Sequence, residues 1–414
     1  MDEAASWLPR HASAPLAQAL GDSPVVCLLG PRQSGKSTLA RRHDPGRPYF
    51  TFDDAVLLGA ASADPTGFLA GLPPIVTLDE IQRVPALLAA IKMSVDRDRR
   101  AGRFLLTGSA NLLLLPAVSE SLAGRMEVVR LHPLTEAEKE RQPGRFLEHL
   151  LAGSFKARAR PGDPEPRDLV RRLLQGGYPE ARRRQAARLR QWHRNYLDAL
   201  IQRDARDVSN LRNLDHLRTL LMLLAHQTAQ LLNVNAAAKH LGIRRETVEN
   251  HFSALERLFL VRRVAAWHPN DARRLVKAPK VHVVDSGLAA TLADLSADDW
   301  ITSRDRFGHI LESFVLQQLV AQADWADTEL RFWHYRDKDQ IEVDIVITRG
   351  RKVWGVEIKA GATVTPDDGR GLRRLADQSG KSFQGGIILH AGTSSLPTAN
   401  PRVLAVPLAE LWTN

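Results

Sequence analysis

The sequence predicts an α/β protein built in modules: a P-loop NTPase domain, a basic helical linker, a winged helix-turn-helix and a C-terminal α/β domain. Three observations carry that prediction. An apolar run from Val25 to Leu29 leads straight into the glycine-rich segment Gly30-Pro31-Arg32-Gln33-Ser34-Gly35-Lys36-Ser37 and then a helix. A short helical pattern rich in alanine turns at Gly242 into a polar-faced helix. Near the C-terminus a period-two strand turns at Arg349-Gly350 and returns with charges at fixed positions.

The first module covers residues 1–134. Val25-Val26-Cys27-Leu28-Leu29 has the continuous apolar character of a strand buried on both faces. It delivers the chain to GxxxxGK[ST], and Thr38-Leu39-Ala40 continue the helix. Glycines let backbone N–H groups curl round an anion, and the helix N-terminus adds a favourable dipole. Gly30, Pro31, Arg32, Gln33, Ser34, Gly35, Lys36, Ser37 and Thr38 are therefore the expected ATP-binding residues, with Lys36 on the β/γ-phosphates and Ser37 on Mg2+.

A second apolar strand, Ile75-Val76-Thr77-Leu78, ends in Asp79-Glu80. Asp79 is expected to hold the Mg2+ shell and Glu80 to orient or deprotonate the attacking water. A third, Phe104-Leu105-Leu106, ends in Thr107-Gly108-Ser109-Ala110-Asn111. Ligands of open α/β sheets lie outside the strand carboxyl ends, which places Ser109 or Asn111 at the γ-phosphate. Arg125, after Ser121-Leu122-Ala123-Gly124, is either an arginine finger, acting in cis or across a subunit boundary, or one half of a structural ion pair.

Length and composition limit the remaining classes. A chain of 414 residues exceeds what one core usually organises, and 44% hydrophobic with 25% charged residues is ordinary globular composition. The single cysteine, Cys27, excludes an intramolecular disulfide and a cysteine-based zinc site. No window approaches the roughly 18 apolar residues that cross a bilayer, and Met1-Asp2-Glu3 opens no signal peptide. A cytoplasmic protein with no membrane partner is expected.

The net charge of +10 is uneven. Residues 151–195 carry twelve basic and four acidic side chains, and residues 233–280 carry ten and four. The rest of the chain is slightly acidic. This central charge favours a nucleic acid held between the flanking modules, against the alternative of a solvated surface.

Residues 135–232 read as helical and basic, with a break at Arg160-Pro161-Gly162-Asp163-Pro164-Glu165-Pro166, a turn at Gly176-Gly177-Tyr178-Pro179, and an unbroken helix from Glu180 to Asp207. In residues 233–300, Val261 to Ala266 and Lys280 to Val284 are the expected strands of a wing. Arg244, Arg245, Thr247 and Asn250 would face a DNA groove. Winged helices also serve as lids or protein-docking modules.

The last module spans residues 301–414. In the hairpin of Ile341 to Ile347 and Val353 to Lys359, correct register brings Asp344 beside Glu357 and Lys359, with Glu312 supplied by a preceding helix. Two carboxylates hold Mg2+ or Mn2+ through oxygen, and a neighbouring lysine orients water or neutralises a phosphate during phosphodiester cleavage. The alternative is a hairpin with charges paired across strands.

This order of modules resembles a widespread family of bacterial and archaeal ATP-binding proteins: an AAA-type ATPase, a winged-helix segment and a C-terminal domain of unknown function similar to restriction-endonuclease-like folds. The matching segments are residues 30–37, Asp79-Glu80-Ile81-Gln82, Leu106-Thr107-Gly108-Ser109, Ser121-Leu122-Ala123-Gly124-Arg125, Gly177-Tyr178-Pro179-Glu180, and Glu342-Val343-Asp344 with Glu357-Ile358-Lys359. The resemblance implies ATP binding and hydrolysis coupled to an unidentified partner. Nuclease activity is implied only through the endonuclease-like fold, whose acid, Asp, Glu-x-Lys pattern Glu312, Asp344, Glu357 and Lys359 match. Three functions are expected to compete: a Mg2+-ATPase acting on DNA, an ATP-gated metal-dependent endonuclease with a second Mg2+ or Mn2+, and a non-catalytic nucleotide switch that docks a protein. An arginine in trans and an AAA-type module both imply a homo-oligomer.

Overall fold

The computed structural model describes residues 7–109, 122, 124–160, 162, 165–204, 213–269, 278–326 and 329–413. Its N-terminal sheet is wholly parallel, from β1 (Val25–Leu29), β2 (Tyr49–Thr51), β3 (Val76–Asp79), β4 (Phe104–Gly108) and β5 (Met126–Arg130), in the order β2-β3-β4-β1-β5. All five residues of β1 are buried, as its continuous apolar run requires. Apolar clusters cover both faces, one centred on Leu87, Leu88 and Ile91 of helix Ala86–Arg97 and the other on Leu16 and Ala19 of helix Ser13–Asp22. Burial pushes the Cys27 thiol up to about 12, so it behaves as a small apolar side chain. Strands β2 and β5 leave no clear signature in the sequence, because they are short or half-exposed.

The chain then turns helical. Thr135 opens this region with a reciprocal capping box to Glu138. Glu138 also receives Arg10, whose buried guanidinium lies 3.0 Å from it and also donates to the carbonyls of Ser34 (2.7 Å) and His132 (2.6 Å). Burial pushes the Glu138 carboxyl up, but Arg10 and the Thr135 amide more than offset that and hold it below its ordinary value. The expected helix from Glu180 to Asp207 is divided into a 3-10 turn at Ala181–Arg183, helix Ala186–Ala199 and a π-helical turn at Leu200–Asp204. The interruption has a local cause. Arg184 folds back on the Glu180 carbonyl and carboxylate while Gln185 is extended, so the helix restarts after it. Asp207 lies outside the described residues.

Helix Leu214–His226 is capped by Asn213 and helix Val234–Leu241 by Asn233, and Gly242 ends the latter at φ +65° before helix Arg245–Arg257. They pack with a three-stranded sheet in which β8 (Lys280–Val283) lies between β6 (Gln230–Leu231) and β7 (Val261–Val264). The strand expected to run to Ala266 leaves its partner at Val264. Ala266 bridges His334 instead, and the Trp267 amide donates to the His334 carbonyl at 2.6 Å.

His334 belongs to β9 (Arg331–Arg336), the edge of the C-terminal sheet. Its other strands are β10 (Glu342–Arg349), β11 (Lys352–Lys359), β12 (Phe383–His390), β13 (Leu396–Pro397) and β14 (Val403–Pro407), in the order β13-β14-β12-β11-β10-β9. Pairs β9–β10 and β10–β11 are antiparallel; β11–β12 and β12–β14 are parallel, with helix Arg370–Ser379 crossing between β11 and β12. Helix Arg304–Trp325 buries both apolar and polar residues, because it runs through the middle of the molecule. One apolar cluster extends from Phe146 through Leu255 and Phe314 to Trp412, joining linker, small sheet and C-terminal sheet into one core.

Candidate functional site

The loop after β1 is shaped by its glycines. A Cβ on Gly30 would come within 2.1 Å of the Leu131 carbonyl, so only glycine fits where the loop passes β5. Gly35 adopts φ +98° at the helix N-terminus. Lys36 is buried, and its ammonium donates to the Gly30 and Pro31 carbonyls at 3.0 and 2.9 Å. Among the described residues the buried Ser34 hydroxyl has no hydrogen-bond partner. An orphaned hydroxyl inside a ring of loop amides is what a phosphate oxygen would satisfy. Tyr196 of the helical region donates to the Arg32 carbonyl at 3.1 Å, tying that region to the loop.

The ends of β3 and β4 supply the remaining groups. Ser37 Oγ lies 3.3 and 3.4 Å from the two Asp79 oxygens, and the Thr107 hydroxyl also donates to Asp79. Two adjacent oxygen donors, one buried and one half-open, fit a hard divalent cation that keeps water and phosphate oxygens as its other ligands. Tyr49 stands beside them, its phenol pushed up by burial and by Asp79, with the Arg41 guanidinium 3.7 Å over its ring.

Glu80 takes a left-handed backbone, φ +59°, a costly conformation for a residue with a Cβ. This turn sends its carboxylate to Ser109 Oγ at 3.0 Å and to the Gln82 amide, while Gln82 Nε2 also donates to Ser109 Oγ at 3.0 Å. The Glu80 amide donates to Thr107 Oγ1 at 3.3 Å. Ser37, Asp79, Glu80 and Ser109 are thus brought to one place. Thr107 and Gln82, to which the sequence assigns no role, join them. Asn111 lies outside the described residues, as do Ser121 and Ala123.

Arg125 is not in this group. Val25 pairs with Met126, so Arg125 sits at the start of β1, a full strand from the phosphate loop, and bonds Asp96 at 2.6 Å. A parallel strand five residues long separates the two ends by roughly 16 Å, and the contact with Asp96 is the ion pair that the sequence left open beside a finger in cis or in trans.

The C-terminal residues do converge. The register Ile345↔Val356 continues to set Asp344 across from Glu357, and Asp344 accepts the Ile358 amide at 2.8 Å. Lys359 lies 2.9 Å from Glu357 and 3.6 Å from Asp368. Burial, Glu312 and Glu357 push the Asp344 carboxyl well up, and burial, against the pull of Lys359, pushes Glu357 up to about 7. A fifth residue came unannounced. Lys280 of β8, only 4% exposed, places its ammonium 3.1 Å from Glu312, 3.5 Å from Glu342 and 4.0 Å from Asp344. Burial pulls this ammonium down, but the three carboxylates more than offset it. Among the described residues no group of His, Cys, Asp and Glu has the spacing of a metal site. The residues as placed do not fit a divalent ion in this cluster, because a lysine stands among them.

The basic middle is also less open than its composition suggests. Arg172 is buried against Glu136, Glu140 and Asp168, each at 2.7 Å, and Arg171, Arg183, Arg184 and Arg194 pair with carboxylates. Arg263 is held by Glu249 and Glu256 at 3.0 Å. Arg172 is therefore structural, whereas Arg171, Arg183 and Arg194 keep exposed side chains in surface pairs. Arg244, Arg245 and Asn250 remain exposed on the first turns of helix Arg245–Arg257, with Thr247 half-buried.

Three family models match the chain: an AAA domain over residues 22–139, a domain of unknown function (DUF8612) over 166–299 and another (DUF4143) over 307–411. Uncharacterized proteins of Mycobacterium tuberculosis and Mycobacterium bovis are each 31% identical over 407 residues, covering 98% of this chain and 84% of theirs. Among solved structures, a Walker-type ATPase of Pyrococcus abyssi is similar over 68% of this chain and 95% of its own, with 17% identity and a TM-score of 0.44. The Thermotoga maritima RuvB Holliday junction branch migration motor is similar over 72% and 95%, with 17% identity and a TM-score of 0.30. Among the described residues no helix is long and apolar enough to cross a membrane. The chain belongs to the family of these mycobacterial proteins, and in it an AAA domain of the AAA-type ATPases continues into two domains of unknown function.

Proposed function

We propose that the protein is a Mg2+-dependent ATPase whose turnover is coupled to duplex DNA. The observation that carries the hydrolytic part is the placement of Glu80 and Ser109 beside the Ser37–Asp79 pair, at the mouth of the phosphate loop. The loop amides, Lys36 and Ser34 would hold the triphosphate, and Ser37 with Asp79 would hold Mg2+, which neutralises phosphate charge when bound. Glu80 accepts a proton from water or orients it. Its carboxylate lies against Ser109 Oγ and the Gln82 amide. The Ser109 hydroxyl would hold that carboxylate toward the water, making Ser109 a positioning residue rather than a base.

Exposure of Arg244, Arg245 and Asn250 on a helix-turn-helix, read as a winged helix, supports contact with DNA. The nucleotide site is joined to the helical region through one carboxylate. Arg83, three residues after Glu80, bonds Asp53 at 2.9 Å, and Arg203 from the helical region reaches the same carboxylate at 3.3 Å. A finger role for Arg125 is retained only in trans, in a homo-oligomer where it leaves Asp96 for a neighbour's nucleotide. The test is phosphate release at saturating ATP with and without duplex DNA at low salt. Stimulation by DNA that is lost when Arg244 and Arg245 are both alanine supports the coupling, and turnover indifferent to DNA rejects it. ATP binding without turnover in either condition would make the protein a nucleotide switch.

A further inference from the structure

The C-terminal cluster holds the carboxylates and the lysine that metal-dependent phosphodiester cleavage asks for, yet its centre is taken by a side chain from another part of the chain. Lys280 lies on β8, paired with Val264 of β7 and Leu231 of β6, and reaches across to helix Arg304–Trp325 and to β10. Its ammonium meets Glu312, Glu342 and Asp344 from these two elements. Separations of 3.1 to 4.0 Å are those of an ammonium in a ring of oxygens, whereas Mg2+ draws oxygen to about 2.1 Å. Glu342 is also paired with Arg336 at 2.7 Å, and Lys359 takes one oxygen of Glu357. The other, Glu357 Oε2, is buried with no hydrogen-bond partner among the described residues. A donor set with one oxygen unspent and an ammonium at its centre is a cation site already filled from within.

We infer that Lys280 is a tethered cation occupying the metal position of this cluster, so that the C-terminal domain takes up a divalent ion only when that ammonium is removed. The inference does not depend on the ATPase reading. It accounts for a pattern of acidic residues and lysine that matches an endonuclease-like fold but lacks metal spacing. Removing the ammonium would leave Glu312 and Asp344 buried without their counter-ion, and a divalent ion is the replacement that restores charge balance. Because β8 also belongs to the sheet behind the helix-turn-helix, the same strand carries the cation that closes the cluster and supports the candidate DNA-contacting helix.

The probe is Mn2+ alone, titrated into nucleotide-free full-length protein and followed by the electron paramagnetic resonance of free Mn2+. Wild type is expected to show no uptake that depends on Asp344. Lys280→Met should bind one Mn2+ per chain at least about tenfold more tightly than wild type, and adding Asp344→Asn should abolish that gain. Wild-type uptake that disappears in Asp344→Asn would overturn the inference, as would a folded Lys280→Met protein that gains no Mn2+. Should Lys280→Met be recovered unfolded, Lys280→Gln decides by its melting temperature. A rise with Mn2+ in Lys280→Gln and none in wild type supports the inference, and equal responses overturn it.

Discussion

Ser109 Oγ donates to the Glu80 carboxylate at 3.0 Å, joining the ends of two parallel strands that the sequence separates by 29 residues. The contact depends on the left-handed backbone at Glu80, which turns the side chain away from the line of β3 and onto β4. It makes the serine a restraint on the acid, and that gives the first prediction. Ser109→Ala should lower kcat about tenfold while ATP affinity stays within about twofold, because only the positioning of the base is lost. Steady-state phosphate release and a nucleotide-binding titration separate the two effects. A parallel loss of affinity would instead make Ser109 a binding residue.

Lys36 should behave in the opposite way. Its ammonium donates to two loop carbonyls, whose place phosphate oxygens would take. Lys36→Ala should weaken ATP binding about 100-fold, since a charge-assisted contact in a buried loop is removed. Isothermal titration with ATP and Mg2+ measures this directly.

Arg172 tests how much of the basic middle is architecture. It satisfies three carboxylates at once and is itself buried. Removing one partner of such a network strands the others, at a cost of about 3–5 kcal/mol. Arg172→Met should therefore lower denaturant stability by that amount, and a loss below about 1 kcal/mol would place Arg172 among ordinary surface arginines.

Stability should also fall in mild acid through His282. Burial pulls its imidazole down to about 3, while Nδ1 lies 3.0 Å from the Ser313 hydroxyl. The unfolded chain therefore binds a proton below about pH 6.5 that the folded chain refuses until about pH 3. A depressed folded value means the contribution is intact above pH 6.5 and is lost progressively as pH falls toward 3, by at most about 1.4 kcal/mol per unit. His282→Gln should flatten the dependence of melting temperature on pH between 6.5 and 4.

Duplex binding, if it runs through the helix Arg245–Arg257, has an ionic signature. Replacing Arg244 and Arg245 with alanine should reduce the slope of log affinity against log salt by about two. Fluorescence anisotropy at several salt concentrations measures it. An unchanged slope would assign the binding to another surface.

The strands of the nucleotide site were legible because continuous apolar runs ending in glycine or acid have few other uses in a chain of this composition. Their exact lengths shifted by a residue or two, and β2 and β5 were hidden because neither is long and fully buried. Roles for Thr107 and Gln82 were not legible, since both depend on the backbone turn at Glu80 and not on residue type. Convergence of Asp344 with Glu357 followed from strand period and register. Lys280 did not, because a side chain from β8, 32 residues before Glu312, enters the cluster only once the three-stranded sheet has docked on the C-terminal helix. The arginine excess is legible only in part, because composition counts charges but not their partners: Arg172 spends its charge inside the molecule, and Arg184 and Arg263 are half-buried beside carboxylates.

The central claim is that Glu80 activates water for ATP hydrolysis beside the Ser37–Asp79 pair. Phosphate release by Glu80→Gln, measured with ATP and Mg2+ after ATP binding has been shown to persist, tests it most directly. Turnover should fall at least about 100-fold with affinity retained. Phosphate release at the wild-type rate would contradict the assignment.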